Sequence, residues 1–214
     1  MGTADETEST SSENTNELIV MPKKVGMNFE NKCAARFMPG PLSSIFKDVK
    51  FPTKTDIEAA HERIRPFVHR TPVLTCKTLD DVSQMTILLK CENFQHTGAF
   101  KVRGATNAVL NLSEEEAAKG VVAYSSGNHA QAVSLAARNR GIPAHIVVYN
   151  NNKIKTDAAR KYGGNIIQCE PLPTTARLEA VQKIKEETGA TFISPCDHFD
   201  VMSGAATACV ELLE

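Results

Sequence analysis

The chain has 214 residues, of which 42% are hydrophobic and 23% charged, with a formal net charge of -1. That supports one domain or two small ones, and the absence of a long basic block argues against nucleic acid or an anionic membrane as the main partner. No basic start leads into an apolar stretch and no run is long enough to span a bilayer, so a soluble, cytoplasmic protein is expected. The six cysteines, Cys33, Cys76, Cys91, Cys169, Cys196 and Cys209, form no Cys-x-x-Cys pair and no cluster with histidines. This argues against a zinc site, another metal centre or a disulfide framework, and small buried thiols are expected instead.

Residues 1–52 read as a mostly disordered or irregular extension. Its beginning is rich in Ser, Thr, Glu and Asn without an aromatic residue, and such a segment buries too little to offset its ordering entropy. Pro22, Pro39, Gly40, Pro41 and Pro52 then interrupt any period. The early acidic residues speak against a mitochondrial presequence, and no chemistry is assigned to this stretch.

Order is expected from Thr55-Asp56-Ile57-Glu58, which has the form of a capping box, with Ile57, Ala60 and Ile64 on one face of the following helix. A short strand at Val73-Leu74-Thr75, a short helix near Thr78 to Val82 and a strand from Thr86 to Cys91 follow, the apolar run Ile87-Leu88-Leu89 reading as buried. A polar turn closed by Gly98 leads into a helix-favouring run from Ala99 to Leu112. Ser113-Glu114-Glu115-Glu116 gives a second capping box, and Gly120 stands where a helix C-cap belongs. From there the alternation is regular: strands at Val121 to Tyr124, Ala144 to Tyr149, Asn165 to Cys169 and Thr191 to Ile193 alternate with helices that end at Gly141, at Gly163-Gly164 and at Gly189. Strands alternating with helices imply an α/β fold, a parallel sheet with helices on both faces.

Two turns carry candidate chemistry. Lys101 falls in the first turn of its helix, where the macrodipole disfavours an ammonium group and therefore favours a nucleophilic amine. Phe100 beside it would exclude water, which suits a Schiff-base lysine. The plainer reading is a lysine whose head reaches solvent. The second turn, Ser125-Ser126-Gly127-Asn128-His129, lies between a strand and a helix, where free N–H groups and the dipole make an anion cradle that would fit a substrate carboxylate. Its plainer reading is helix capping by Ser126 or Asn128, with His129 an exposed first-turn residue.

Thr97-Gly98-Ala99-Phe100-Lys101-Val102-Arg103-Gly104-Ala105, followed by Ser125-Ser126-Gly127-Asn128-His129-Ala130, resembles the serine racemase and serine/threonine dehydratase family of fold type II pyridoxal-phosphate enzymes, from about Thr55 to the last residue. The resemblance implies a two-domain architecture with the cofactor, pyridoxal 5'-phosphate, in the cleft. Residues 53–119 and 196–214 would belong to the large domain and residues 120–195 to a small α/β domain. It also implies that Lys101 holds the cofactor as a Schiff base and moves the α proton, that Phe100 packs beside the cofactor ring, and that Asn128 bonds the ring's phenolic oxygen. Ser125, Ser126, Asn128 and His129 would receive the substrate carboxylate. Ser126 separates activities: dehydratases of the family commonly have alanine there, whereas in racemases a serine faces the lysine across the cofactor plane.

The resemblance thus implies a serine racemase (isomerase) with serine/threonine dehydratase (ammonia-lyase) activity, acting on small amino acids, with a homodimer as one arrangement open to the full-length form. A dehydratase without racemase activity remains the alternative if Ser126 only caps its helix. The chain departs from the family pattern at Tyr149-Asn150-Asn151-Asn152-Lys153, where a Pro-containing loop is usual. It departs again at Ser203-Gly204-Ala205-Ala206-Thr207, where Gly-Gln-Gly-Thr is common. It also ends at Glu214, inside an apolar helical pattern and before the family's phosphate-binding loop, pyridine-nitrogen partner and metal-binding acids. The expectation is therefore an architecture lacking the C-terminal half of the large domain. A non-catalytic truncated form that acts by association, or is unstable alone, is the competing reading.

Overall fold

The computed structural model describes residues 50–149, 153–170 and 175–214. The extension expected before residue 50, Cys33 and the Asn150-Asn151-Asn152 departure lie outside the described residues. Two compact units can be distinguished among the described residues, one spanning 75–88 and the other 50–74 with 89–214.

The larger unit opens with α1 (Lys54–Ile64), capped two residues earlier than expected. Thr53 Oγ1 accepts from the Asp56 N–H, and the Asp56 carboxylate accepts from the Thr53 N–H at 2.8 Å. Thr53 and Thr55 are each followed three residues on by an acid, so the sequence offers two overlapping boxes, and the first one forms. Strands β1 (Val73–Thr75) and β2 (Leu88–Lys90) pair as a separate two-stranded sheet. Leu88 and Leu89, expected to be buried, are 53% and 39% exposed. An apolar run marks a strand but does not say what covers it. The small unit contains α2 (Lys77–Ser83), ended by Gln84 in the left-handed region, with Asp80 Oδ1 accepting from the Ile87 N–H at 2.7 Å.

After β2 the chain does not enter the Lys101 helix directly. It makes two 3₁₀ turns, Glu92–Phe94 and His96–Gly98, before α3 (Lys101–Leu110). Helix α4 (Glu114–Lys119) carries the expected Ser113–Glu116 capping box and ends at Gly120. Then come β3 (Val121–Tyr124), α5 (Asn128–Arg140), β4 (Ala144–Val148), α6 (Lys153–Lys161), β5 (Asn165–Gln168), α7 (Ala176–Thr188), β6 (Thr191–Phe192) and α8 (Phe199–Leu213).

The four later strands form one parallel sheet in the order β5-β4-β3-β6. Alternation along β3 divides its side chains between two layers. Val121 and Ala123 join the core made with Val102, Ala105 and Val109 of α3 and Ala132, Val133 and Ala136 of α5. Val122 joins Val147 and the α7 residues Val181 and Ile184 on the other side. Helices thus cover both faces, and α3 is enclosed so fully that every residue from Val102 to Val109 is buried.

Two features fix the start of α3. The first is its crossing with α8: a Cβ at Gly204 would stand 2.6 Å from the Arg103 carbonyl oxygen and 2.6 Å from Asn107 Cβ, and one at Gly104 would meet the Val201 carbonyl oxygen. Only glycine allows backbones this close, so the Ser203-Gly204-Ala205 departure keeps a glycine at the helix contact. The second is Arg103, fully buried, which grips two carboxylates at once. Its Nε and Nη2 donate to Glu92 at 2.8 and 2.9 Å, and its Nη1 and Nη2 donate to Glu211 at 2.7 and 2.9 Å. Lys90 Nζ also donates to Glu211, and Thr71 Oγ1 to Glu92, each at 2.6 Å. Burial opposes ionisation of Glu211, but the hydrogen bonds from Arg103 and Lys90 outweigh it and hold this carboxyl below its ordinary range.

The expected buried thiols are not found at the described positions: Cys76, Cys91 and Cys169 are half-buried, and Cys196 and Cys209 are exposed. They sit at helix caps, loop edges and outward helix faces, where local position outweighs the thiol's preference for the interior.

Candidate active site

In the parallel sheet the chain runs outward from β3 to β4 and β5, then returns to place β6 on the other side of β3. The order therefore reverses between β3 and β6, and the carboxyl ends of strands at such a reversal are where open α/β sheets bind ligands. Both segments leaving these two strands carry site groups. Ser125 to His129 follow β3, and Ile193 to Pro195 follow β6.

Lys101 is the first residue of α3, as expected, and half-buried. Its Nζ donates to the Pro195 carbonyl oxygen at 2.7 Å and lies 5.3 Å from the centroid of the Phe100 ring. The lysine head is therefore turned toward the segment after β6, and the reading in which it simply reaches solvent does not hold. Phe100 is 44% exposed, which leaves a ring surface for a planar group to stack on.

In the second turn, the N-cap of α5 is Gly127, Asn128 is the first helical residue, and no side chain caps the helix. Ser125 Oγ instead accepts from the Gly127 N–H at 3.1 Å. Ser126 Oγ is buried with no hydrogen-bond partner among the described residues, so neither Ser126 nor Asn128 serves as the cap that the plainer reading assigned. Among the described residues nothing lies within 4 Å of where a Cβ on Gly127 would stand, and Asn128 is exposed. An uncapped helix start, an unpaired hydroxyl and open space suit a ligand that carries an anion.

His129 is not the exposed residue that was one alternative; it is 3% exposed. Its Nε2 lies 3.0 Å from the Ile193 carbonyl oxygen, and its Nδ1 is buried without a partner among the described residues. Burial pushes the imidazole down from 6.5 to about 4, against the Ile193 carbonyl, which raises it, while Lys101 and His198 add to the depression. Between these values the unfolded chain takes up a proton that the folded chain does not, so acid favours unfolding. The stability tied to His129 is complete above about pH 6.5 and falls by roughly 3 kcal/mol as the pH drops to about 4. In urea titrations the wild type is expected to lose more stability between neutral and acidic pH than His129→Gln; equal losses would show that this imidazole is not the group responsible.

Three further features had no signal in the sequence. Thr97 sits in the left-handed region at φ 61°, a strained position for a β-branched side chain, with Oγ1 buried and unpaired among the described residues. Gly98 alone had marked that turn. The Arg177 guanidinium lies 4.9 Å from the Tyr124 ring, which stacks on Phe192 at 5.6 Å, just before the Ser125 turn. The third is the pair of backbone acceptors, Ile193 and Pro195. An apolar groove of about 540 Å³ runs along α7 past Leu178, Val181 and Phe192, but its polar residues are exposed helix-face groups with no arrangement suited to chemistry.

The fold is that of an α/β protein with a parallel sheet, and the two turns are of the kind that enzymes of this class use at a sheet's carboxyl edge. The chain belongs to the family of pyridoxal-phosphate dependent enzymes, matched over residues 64–214. It is 48% identical over 164 residues to a beta-hydroxyaspartate dehydratase of Paracoccus denitrificans, covering 76% of this chain and 52% of that protein. It is 50% identical over 159 residues to a serine racemase of Arabidopsis thaliana, covering 74% and 48%. The solved structure of maize serine racemase superposes with a TM-score of 0.72 at 44% identity, over 74% of this chain and 48% of that one. The chain spans about half the length of the curated relatives it matches.

The residues present fit the family's cofactor. Lys101 would supply the amine and Phe100 an exposed ring face, and the turn after β3 would offer the Ser126 hydroxyl and the open space at Gly127. Among the described residues no helix is long and apolar enough to cross a membrane.

Proposed function

We propose that this chain carries the lysine and carboxylate-binding half of a pyridoxal-phosphate dependent enzyme that racemises serine and also eliminates water from serine or threonine. The observation that carries the reading is the pairing of Lys101, held on Pro195, with an unpaired Ser126 hydroxyl at an uncapped helix start. When bound, pyridoxal phosphate supplies an electron sink for charge that develops at the substrate's Cα. Lys101 would hold that group through its amine, and the same Nζ would be the base that removes or returns the Cα proton from its side. Phe100 would stack its exposed ring on the cofactor's planar ring. Asn128 and the first-turn N–H groups of α5 bind and orient the substrate carboxylate, where the helix dipole favours negative charge. Residues 53–119 with 196–214, and 120–195, are the corresponding large-domain and small-domain portions under this reading.

Ser126 decides between racemisation and elimination alone. Inverting a centre needs a proton carrier on each face of Cα, and the Ser126 hydroxyl is the group assigned to the face away from Lys101. Elimination needs only the first proton to leave. Ser126→Ala is therefore expected to lower serine racemisation by about 10²–10⁴-fold while pyruvate still forms at a comparable rate. Chiral chromatography run beside a pyruvate assay on the longest form of the protein reads both. Equal loss of the two activities would assign Ser126 to carboxylate binding. The identity to a beta-hydroxyaspartate dehydratase favours a second reading, elimination from a β-hydroxy amino acid without racemisation. Pyruvate formation with no D-serine in the wild type would establish it.

A further inference from the structure

His129 and Lys101 lie on different helices, yet both end on the same three-residue segment. The His129 Nε2 meets the Ile193 carbonyl oxygen at 3.0 Å, and the Lys101 Nζ meets the Pro195 carbonyl oxygen at 2.7 Å. A carbonyl oxygen only accepts, so the proton of this contact belongs to Nε2, and in the neutral ring Nδ1 carries the lone pair. Nδ1 is buried without a partner among the described residues, and the ring is 3% exposed. An imidazole in that state offers no charge and no second N–H to a substrate carboxylate, so the side chain's work lies in the bond it donates.

The segment it holds is anchored at its start by the Ile193 N–H, which donates to the Val122 carbonyl at 2.9 Å. Ser194 Oγ donates to Asp197 and folds the chain back after Pro195. Strand β6 itself ends at Phe192, so beyond Ile193 these contacts replace the sheet in fixing where the Pro195 carbonyl stands. We infer that His129 is a positioning residue: by tying the start of α5 to Ile193 it fixes the Pro195 carbonyl, which in turn holds the Lys101 amine aimed at its reaction partner. The depressed basicity of His129 agrees, since the ring then stays neutral across the working pH range. This inference rests on Lys101 being the residue that takes the cofactor.

The experiment follows the loading of Lys101 rather than turnover. Protein freed of cofactor is mixed with pyridoxal phosphate, reduced with borohydride at set times, and the label on the Lys101 peptide is quantified by mass spectrometry. Far-UV circular dichroism confirms that each variant is folded. His129→Leu, which removes the donor, is expected to load about tenfold more slowly. His129→Gln, which retains an N–H near the Nε2 position, is expected to load at the wild-type rate. Asp197→Ala loosens the same segment without touching His129, is expected to slow loading in the same direction, and stands in if the Leu variant does not fold. Wild-type loading in both the Leu and the Asp197 variants, or a Gln variant as slow as Leu, overturns the inference. A wild type that takes no label on Lys101 instead overturns the assignment of the cofactor lysine itself.

Discussion

Replacing Arg103 with methionine is expected to lower the unfolding free energy by at least roughly 3–5 kcal/mol, the usual penalty for removing one partner of a buried charged pair. Against a typical net stability of about 5–15 kcal/mol, that brings the chain to the margin of folding. The size follows from the geometry. One fully buried guanidinium satisfies two bidentate carboxylates, and its removal leaves Glu92 and Glu211 facing each other, with only Lys90 and Thr71 left to hold them. Arg103→Lys is expected to recover only part of the loss, because an ammonium has three donors and no planar fork. Urea unfolding followed by circular dichroism measures both variants. An unchanged midpoint for Arg103→Met would mean that the network contributes nothing.

The second large effect is chemical. Lys101→Ala is expected to abolish covalent retention of pyridoxal phosphate and to lower any turnover of the intact enzyme by about 10²–10⁴-fold, since in the proposed mechanism the same amine would both attach the cofactor and move the proton. Its effect on stability should be small by comparison. One hydrogen bond to Pro195 is lost, worth about 0.5–1.5 kcal/mol, and the methyl group left behind suits a helix. Visible absorbance and borohydride trapping report the first effect and thermal unfolding the second. Labelling of the Ala variant to the wild-type level would place the cofactor on another lysine. Lys90 is a poor candidate, because its amine is already committed to Glu211 and to the Thr71 carbonyl.

Contiguous features were the legible ones. Ser125 to His129 announce a strand-to-helix turn because strand, glycine and helix follow one another within a few residues, and Lys101 could be placed in a first turn for the same reason. The even alternation after Gly120 likewise read as a covered parallel sheet, since period and turn residues are local properties. What could not be read was joined across sequence or made by the backbone. Arg103 and Glu211 stand 108 residues apart, and the Ile193 and Pro195 carbonyls belong to a group every residue has. Thr97 showed no mark of its left-handed conformation, and the burial of His129 depended on which elements pack around it. The exposure of Leu88 and Leu89 was missed for the same reason.

The glycine contact between α3 and α8 also bears on motion. Packed helices usually slide past one another because a layer of side chains can adjust its rotamers as they move. At Gly104 and Gly204 that layer is missing, and backbone rests on backbone. A shift of either helix along the other therefore meets backbone atoms rather than a side chain that can change rotamer.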